Sequence, residues 1–465
     1  MERRGQQRVN RKHCTLCGHS AETPGSTTKE EEFKLIPQSN SWVRIGIRAG
    51  NKEECFNNLF CHLTVENLRE AHQTLDGTKA RGVDNITKRQ YGKNLEANLK
   101  DLEDRIHKGT YRPLPRRQVL IPKANGKMRP IAISAYEDKL VEWTVARILG
   151  LVYEPLFINT SYGFRPRRNA YQAVRITYQS LKENHRPYVV EIDLKSFFDT
   201  VPQRKLMKLV KLRIADRRFR SLIARFLQAG ILQDDGKVLR GDTGTAQGAI
   251  LSPVLANVYL HYCLDTWFLE NYAQQNAVIV RYADDAVFLF KKKEQAEQFR
   301  LDLKRQIEEA GLALNEDKSG IVDFGKHKGN VFHILGFTFY WDNRQGASER
   351  KLQVKTEKSR LFKKISSFAE WIKETRSKLN LNQIWEMAAS KLQGHYTYYG
   401  LSCNRPKLNH FYHAAIGCLF KWLNRRSQRK SFTWERFARR LKFKPLPTPP
   451  PVESLKQLDR SYVYV

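Results

Sequence analysis

Ala277-Val278-Ile279-Val280-Arg281-Tyr282-Ala283-Asp284-Asp285-Ala286-Val287-Phe288-Leu289-Phe290 is the stretch on which the fold turns. Two apolar runs flank a short acidic centre, the pattern of a β-hairpin carrying Asp284 and Asp285 at its tip. A second β-rich run, Tyr188-Val189-Val190-Glu191-Ile192, ends on Asp193 and leads into Phe197-Phe198. An Asp-Asp tip alone says little, because Asp is common in turns. Asp193 alone could equally cap the helix that follows it. Three carboxylates brought together repel one another, and a divalent cation with hard oxygen ligands is the natural reason for such a cluster.

Outward from this centre the periodicity alternates between helix and strand. Leu63, Leu68, Ala71 and Leu75 suit one helical face, and further helices are predicted over 95–106, 136–152, 168–184, 203–228, 252–271 and 293–310. Short strands are predicted at 119–121, ended by Pro122, and near 320–324 and 331–340. Beyond residue 356 the pattern is helical, basic and aromatic. Residues 1–60 are polar and weakly periodic and read as a flexible or partly ordered leader. The stretch from Pro445 to Pro451 ends compact structure or opens a semi-rigid tail.

The chain has 465 residues, enough for two to four domains, and 81 Lys and Arg against 48 Asp and Glu, a net charge of +33. Such an excess repels itself in the compact state and points to a polyanionic partner, with long nucleic acid the first candidate. Residues 351–465 hold 24 Lys and Arg against 7 Asp and Glu, so this last quarter carries about half of the excess. The seven cysteines are odd in number and scattered, which fits a reducing cytoplasm and no disulfide framework. No run of eighteen apolar residues exists, so no membrane partner is expected. His13-Cys14-Thr-Leu-Cys17-Gly-His19 lacks the second Cys pair of a structural site, so no zinc is expected.

Seven blocks in a fixed order then resemble a known family. Tyr282-Ala-Asp-Asp285 looks like the YxDD box of reverse transcriptases, and Asp193-Leu-Lys-Ser-Phe-Phe198 like their first acidic motif. Ala246-Gln247-Gly248 with Ser252-Pro253 is similar to the PQG…SP segment, with Ala246 where the family usually has Pro. Ile121-Pro-Lys123 with Arg129-Pro130 resembles the fingers motif. Ser161-Tyr-Gly-Phe-Arg-Pro166, Leu314-Asn-Glu-Asp-Lys318 and Leu335-Gly-Phe-Thr-Phe339 match further blocks. The resemblance is to group II intron-encoded reverse transcriptase/maturases, over roughly residues 62–440.

The resemblance implies an α/β (α+β) right-hand polymerase. Residues 1–60 would be a variable leader and 61–345 the fingers and palm, with a ferredoxin-like sheet carrying the YADD box. Residues 346–440 would be a helical thumb and maturase X domain, and 441–465 a Pro-rich tail. By the same resemblance Asp193, Asp284 and Asp285 would hold two Mg²⁺ ions. Lys123 and Arg129 would contact the dNTP triphosphate, and Gln247 and Gly248 would lie against nucleotide and template. Phe198 corresponds to the steric gate against the ribose 2′-hydroxyl, with Phe197 beside it a core residue, and Lys318 belongs to a nucleotide-positioning block.

Lys391-Leu-Gln-Gly394 through Tyr398-Tyr399-Gly400 is similar to a maturase segment, and a basic helix with Lys421, Arg425, Arg426, Arg429 and Lys430 follows. Cations interleaved with aromatic rings suit RNA. Arg165, Arg167, Tyr398 and Tyr399 join these basic residues as candidate RNA contacts. The implied partners are group II intron RNA, as template and splicing substrate, and a DNA primer or target, in a cytoplasmic ribonucleoprotein. No HNH cluster appears near Val465, so the primer is expected to come from elsewhere, such as a nascent strand. Two other readings are a splicing-only maturase with a vestigial polymerase and a group II-like enzyme recruited to host defence. Retention of all three Asp, Phe198 and Gln247 argues against the first. The Ser161–Pro166 block and the X-like segment weigh against the second.

Overall fold

The structure is a computed structural model that describes residues 40–122, 128–182, 185–325, 329–342, 350–426 and 432–450. Lys123, Arg429, Lys430 and the Cys14–Cys17 pair lie outside these residues.

At the centre is a four-stranded sheet. Its strands are β3 (Tyr188–Ile192), β6 (Val278–Tyr282), β7 (Asp285–Phe290) and β8 (Gly320–Asp323), in the order β6-β7-β3-β8. All three pairings are antiparallel. The apolar runs are nearly continuous because both faces are covered. Val190, Ile192, Ile279 and Phe288 enter the largest core, while Val189, Val280, Val287 and Leu289 enter a second one. Helices Thr266–Tyr272 and Lys293–Glu309 cover the first face, where Phe288 meets Phe299 at 4.5 Å. Helix Ala170–Lys182 and a small sheet cover the other.

A second sheet carries the segment expected in the fingers. Its strands β1 (Arg116–Pro122), β2 (Met128–Ile133), β4 (Ile231–Leu232) and β5 (Val238–Leu239) run in the order β2-β1-β4-β5. The small third sheet, β11-β10-β9, consists of β9 (Phe332–Ile334), β10 (Phe337–Trp341) and β11 (Leu352–Thr356). Residues 331–340, read as one strand, are therefore a tight hairpin. Leu335 and Gly336 at its turn both take positive φ, 52° and 78°, as a two-residue turn of this hand requires. A Cβ on Gly336 would lie 2.7 Å from the Tyr399 hydroxyl and 2.8 Å from the Arg360 side chain, so the helical domain docks directly on this glycine.

Three further expectations change. The leader is shorter than residues 1–60, because Asn40–Ala49 is a helix with Trp42, Ile45 and Ala49 buried at i, i+3 and i+7. Trp42 Nε1 donates to Glu70, and Phe56 pairs with Ile214. That pairing also divides the helix predicted over 203–228. Ala215 and Asp216 donate their amides to the Phe56 carbonyl, and Asp216 caps the new helix Arg217–Gln228 through the Phe219 amide. At the other end, compact structure runs past residue 441. Leu446 is buried in the helical core, and Trp385 Nε1 donates to the Lys444 carbonyl.

The helical domain is built from Lys358–Thr375, Leu381–Tyr399, Arg405–Leu423 and Trp434–Phe443. His395 sits inside it, 3% exposed, with its ring 4.2 Å from that of Phe411. Burial first, then the Lys364 charge, lowers its pKa to about 4. Because the folded value lies below the ordinary 6.5, the stability this residue contributes is complete above pH 6.5 and drains away as pH falls to 4. The His395→Phe variant should lose about 3 kcal/mol less than the parent between pH 7 and pH 4, measured by urea unfolding at each pH.

Candidate active site

Three carboxylates meet at one end of the central sheet. On the β3–β7 ladder Ile192 pairs with Ala286, so Asp193, the next residue, comes level with Asp285. Directly opposed residues of an antiparallel pair project to the same face. Tyr282 pairs with Asp285, which leaves Ala283 and Asp284 as a two-residue turn. Asp284 and Asp285 feel burial and the carboxylates beside them. Burial, then the Asp284 and Asp193 charges, pushes the Asp285 carboxyl up to about 6. Asp284 is likewise raised, by burial and by Asp193, against the pull of Arg129 and Arg281. Asp193 Oδ2 accepts from Asn315 Nδ2 at 2.9 Å and pairs with Lys318 Nζ at 3.2 Å. Among the described residues, no three His, Cys, Asp or Glu side chains are gathered so as to hold a metal ion as they stand.

The turn is held from behind by a sealed polar network. Arg281 and Asp265 are both fully buried and pair in a fork, Nε to Oδ1 at 2.7 Å and Nη2 to Oδ2 at 2.5 Å. Arg281 Nη1 then reaches Asn257 Oδ1 and the Ala283 carbonyl, each at 3.0 Å. Asp265 closes a π-turn over His261–Asp265, a helical irregularity frequent at functional sites. Asn257 Nδ2 donates to the Gly163 carbonyl at 2.8 Å. Gly163 lies so close to the turn that a Cβ there would fall 2.3 Å from the Ala283 nitrogen. Ala283 itself has φ 57°, a left-handed conformation that costs a non-glycine residue about 1–2 kcal/mol.

The remaining candidates come from loops and from the fingers. Arg129 Nε donates to Gln247 Oε1 at 2.7 Å, and Gln247 Nε2 reaches Asp199 at 3.4 Å, so this glutamine ties β2 to the segment after Asp193. Gly248 has φ 101°, and a Cβ there would meet Ile131 at 2.5 Å, which accounts for glycine at that place. Phe197 is core, as expected, while Phe198 is half-buried and edge-on to the exposed Phe164 ring at 6.5 Å. A cleft of about 470 Å³ runs from Asp193, Asp285 and Lys318 past the Leu335-Gly336 turn to Glu357 and Arg360.

Of the proposed RNA contacts, Arg165 is a correction. It is buried, and its guanidinium is engaged by Glu154 and by the carbonyls of Ile158 and Ser161. Arg167 is exposed. Tyr399 is half-buried and packs between two cores against Gly336, so it is a joint between domains. Tyr398 is 42% exposed, with its hydroxyl donating to the Leu335 carbonyl. Lys421, Arg425 and Arg426 are exposed. Lys421 and Arg425 join Lys373 and Arg376 in placing four cations 4.9–5.8 Å from the Trp422 ring. Asn315, Glu357 and Arg360 were missed. Asn315 stands inside a quoted block, whereas Glu357 and Arg360 carry no local signal beyond charge.

Residues 121–339 match the family model described as "Reverse transcriptase (RNA-dependent DNA polymerase)". The chain is 33% identical to Protein YkfC of Escherichia coli (strain K12) over 62% of this chain and 83% of that protein. The chain belongs to the reverse transcriptase family. The chain is also 35% identical to the group II intron-encoded protein LtrA of Lactococcus lactis subsp. cremoris, over 47% of its length. That match spans 36% of LtrA's length. A solved telomerase from Candida albicans aligns over 73% of the reverse transcriptase and 67% of its own chain, at 14% identity and a TM-score of 0.41. Among the described residues no helix is long and apolar enough to cross a membrane.

Replacing Asp265 by Ala strands the Arg281 charge in a dry site. It should lower the unfolding free energy by about 3–5 kcal/mol, read by denaturant titration. An unchanged midpoint would remove the network from the account.

Proposed function

We propose that this chain copies RNA into DNA at the sheet end bearing Asp193, Asp284 and Asp285, and that it also binds a group II intron RNA to promote its splicing and mobility. The carrying observation is the β3–β7 register, which brings Asp193 level with Asp285 beside the turn holding Asp284. An all-oxygen donor set in which burial and neighbouring carboxylates raise the pKa of Asp284 and Asp285 suits a hard divalent cation. Asp193, Asp284 and Asp285 would hold Mg²⁺, which when bound would offset the charge gathered around a triphosphate and a primer hydroxyl.

The chain's own side chains do the rest. Arg129, held by Gln247, offers the remaining N–H groups of its fork to phosphate oxygens. Lys123 would add a second cation to the same triphosphate. Lys318 lies at the Asp193 carboxylate, where a mobile ammonium balances charge when no nucleotide is present and can turn to one that is. Gln247 and Gly248 line the approach for template and nucleotide, with Gly248 keeping β2 close. Phe198 presents a ring where a sugar would pass, and a bulky apolar group there leaves a 2′-hydroxyl without room or partner. The cleft leading to the Leu335-Gly336 turn and Arg360 is the natural course for the primer strand.

The intron-binding half of the reading rests on the cations around Trp422 and on the likeness to LtrA. Like charges crowd there because a polyanion is the partner, and such contacts release counterions. The site of action would be a cytoplasmic ribonucleoprotein, with dNTPs and a DNA primer or target as the other partners.

Asp284→Asn should abolish primer extension on an RNA template while leaving intron affinity within a few-fold. Extension at the parent rate would defeat the carboxylate assignment. Phe198→Val should raise ribonucleotide incorporation relative to deoxyribonucleotide by at least about tenfold, a barrier change near 1.4 kcal/mol. Equal selectivity in competition assays would put the gate elsewhere.

A further inference from the structure

A second, smaller cleft is formed by none of the strands that carry the carboxylates. It encloses about 190 Å³ between the turn at Phe60, the end of helix Leu95–His107 and helix Arg217–Gln228. Arg217, Arg218 and Arg225 line it, together with Gly109 and Tyr111.

Arg218 and Arg225 are anchored without being neutralised. Arg225 Nη1 donates to the Gly109 and Tyr111 carbonyls, and Arg112 Nη1 donates to the same two oxygens. Two guanidinium groups thus converge on one pair of acceptors, and burial with the Arg112 charge lowers the Arg225 pKa. Arg218 donates to the His107 carbonyl and lies 4.2 Å over the Phe60 ring. The carboxylate at the helix start, Asp216, is engaged by two backbone amides, those of Phe60 and Phe219. Arg217 and Arg218 occupy the first turn of their helix, where the macrodipole disfavours cations by about 0.3–1 kcal/mol each. Cations held against both like charge and dipole, around an open cleft, are arranged for an external anion.

We infer that this cleft binds backbone phosphates of RNA, as a contact separate from the cations around Trp422. A guanidinium fork matches phosphate oxygens two at a time. Base readout is disfavoured, because one face of Phe60 lies under Arg218 and the ring meets His107 edge-on at 5.4 Å. The contact positions the RNA without reading its sequence. This inference rests on the reading that the chain binds RNA.

The test measures affinity for a full-length group II intron transcript across a salt series, using the full chain. Arg217→Gln with Arg218→Gln should reduce the slope of log affinity against log salt by about 1.4–1.8, at about 0.7–0.9 for each lost phosphate contact. Arg217→Gln alone, at an exposed position, should reduce it by about 0.7–0.9 and covers the case in which the double variant unfolds. A parent-like slope in both variants overturns the inference. Lys421→Gln with Arg425→Gln is run beside them. If that pair lowers the slope and the Arg217 variants do not, only this cleft is excluded. If the parent itself shows no salt-dependent binding, the broader RNA-binding reading has failed.

Discussion

The pair of Arg281 and Asp265, shut away from water, is the constraint on which the site depends. A buried ion pair is a poor source of net stability, because desolvating both charges offsets most of their attraction. Its geometry is another matter. The fork to Asp265 uses Nε and Nη2, which leaves Nη1 aimed at the Ala283 carbonyl and at Asn257. An apolar replacement would keep the packing but free the carbonyl of a turn whose Ala283 is held at an unfavourable φ. Strain of this kind persists where the surroundings over-determine it. Here they do so from three sides, through Arg281, through Asn257 bonded to Gly163, and through the close backbone approach that only glycine allows at 163.

The same reasoning joins motifs that lie far apart in the chain. Ser161–Pro166 stands beside β6: Tyr162 donates to the Arg281 carbonyl, and Arg281 donates its amide to Thr160. This block supports the turn from one flank. Leu335-Gly336 supports the opposite domain boundary, where Gly336 receives Tyr399 and Arg360. Gly163 and Gly336 mark places where another element reaches their backbone, the main chain of Ala283 at Gly163 and the side chains of Tyr399 and Arg360 at Gly336. The site is therefore assembled by close approaches that a Cβ at these two positions would block.

The central hairpin was legible because two apolar runs, each too short for a buried helix and rich in β-branched and aromatic residues, flank an acidic tip. The helices over 95–107, 136–153 and 293–309 were legible for the matching reason, with long amphipathic or buried faces ended by clear breaks. The segment 40–60 was hidden by composition, although Trp42, Ile45 and Ala49 carry helical spacing. Their burial depends on packing against helix Tyr136–Tyr153, far along the chain, and no local signal announces such a contact. The break at Ile214–Asp216 likewise comes from a distant partner, Phe56. Arg165 misled because a basic residue in a motif reads as surface, whereas its charge is consumed by Glu154. Asp265 was invisible: nothing about one acid in an apolar helix indicates that a π-turn presents it to an arginine.

Charge placement adds a further step. Near the sheet end, acidic groups are drawn together and the cations facing them, Lys318, Arg129 and Arg360, make few bonds that would prevent them turning elsewhere. Around Trp422 and around Phe60 the reverse holds, with cations drawn together over rings and carbonyl oxygens. Both arrangements raise the energy of the isolated chain and are lowered by a ligand of opposite sign. On the proposed reading, one kind would take a small hard cation and a triphosphate, the other a long polyanion. A chain with +33 net charge that nevertheless concentrates carboxylates at a single sheet end has separated these two demands in space. Under the proposed function, that separation keeps the contacts to an RNA strand apart from the carboxylates that would hold the metal ions.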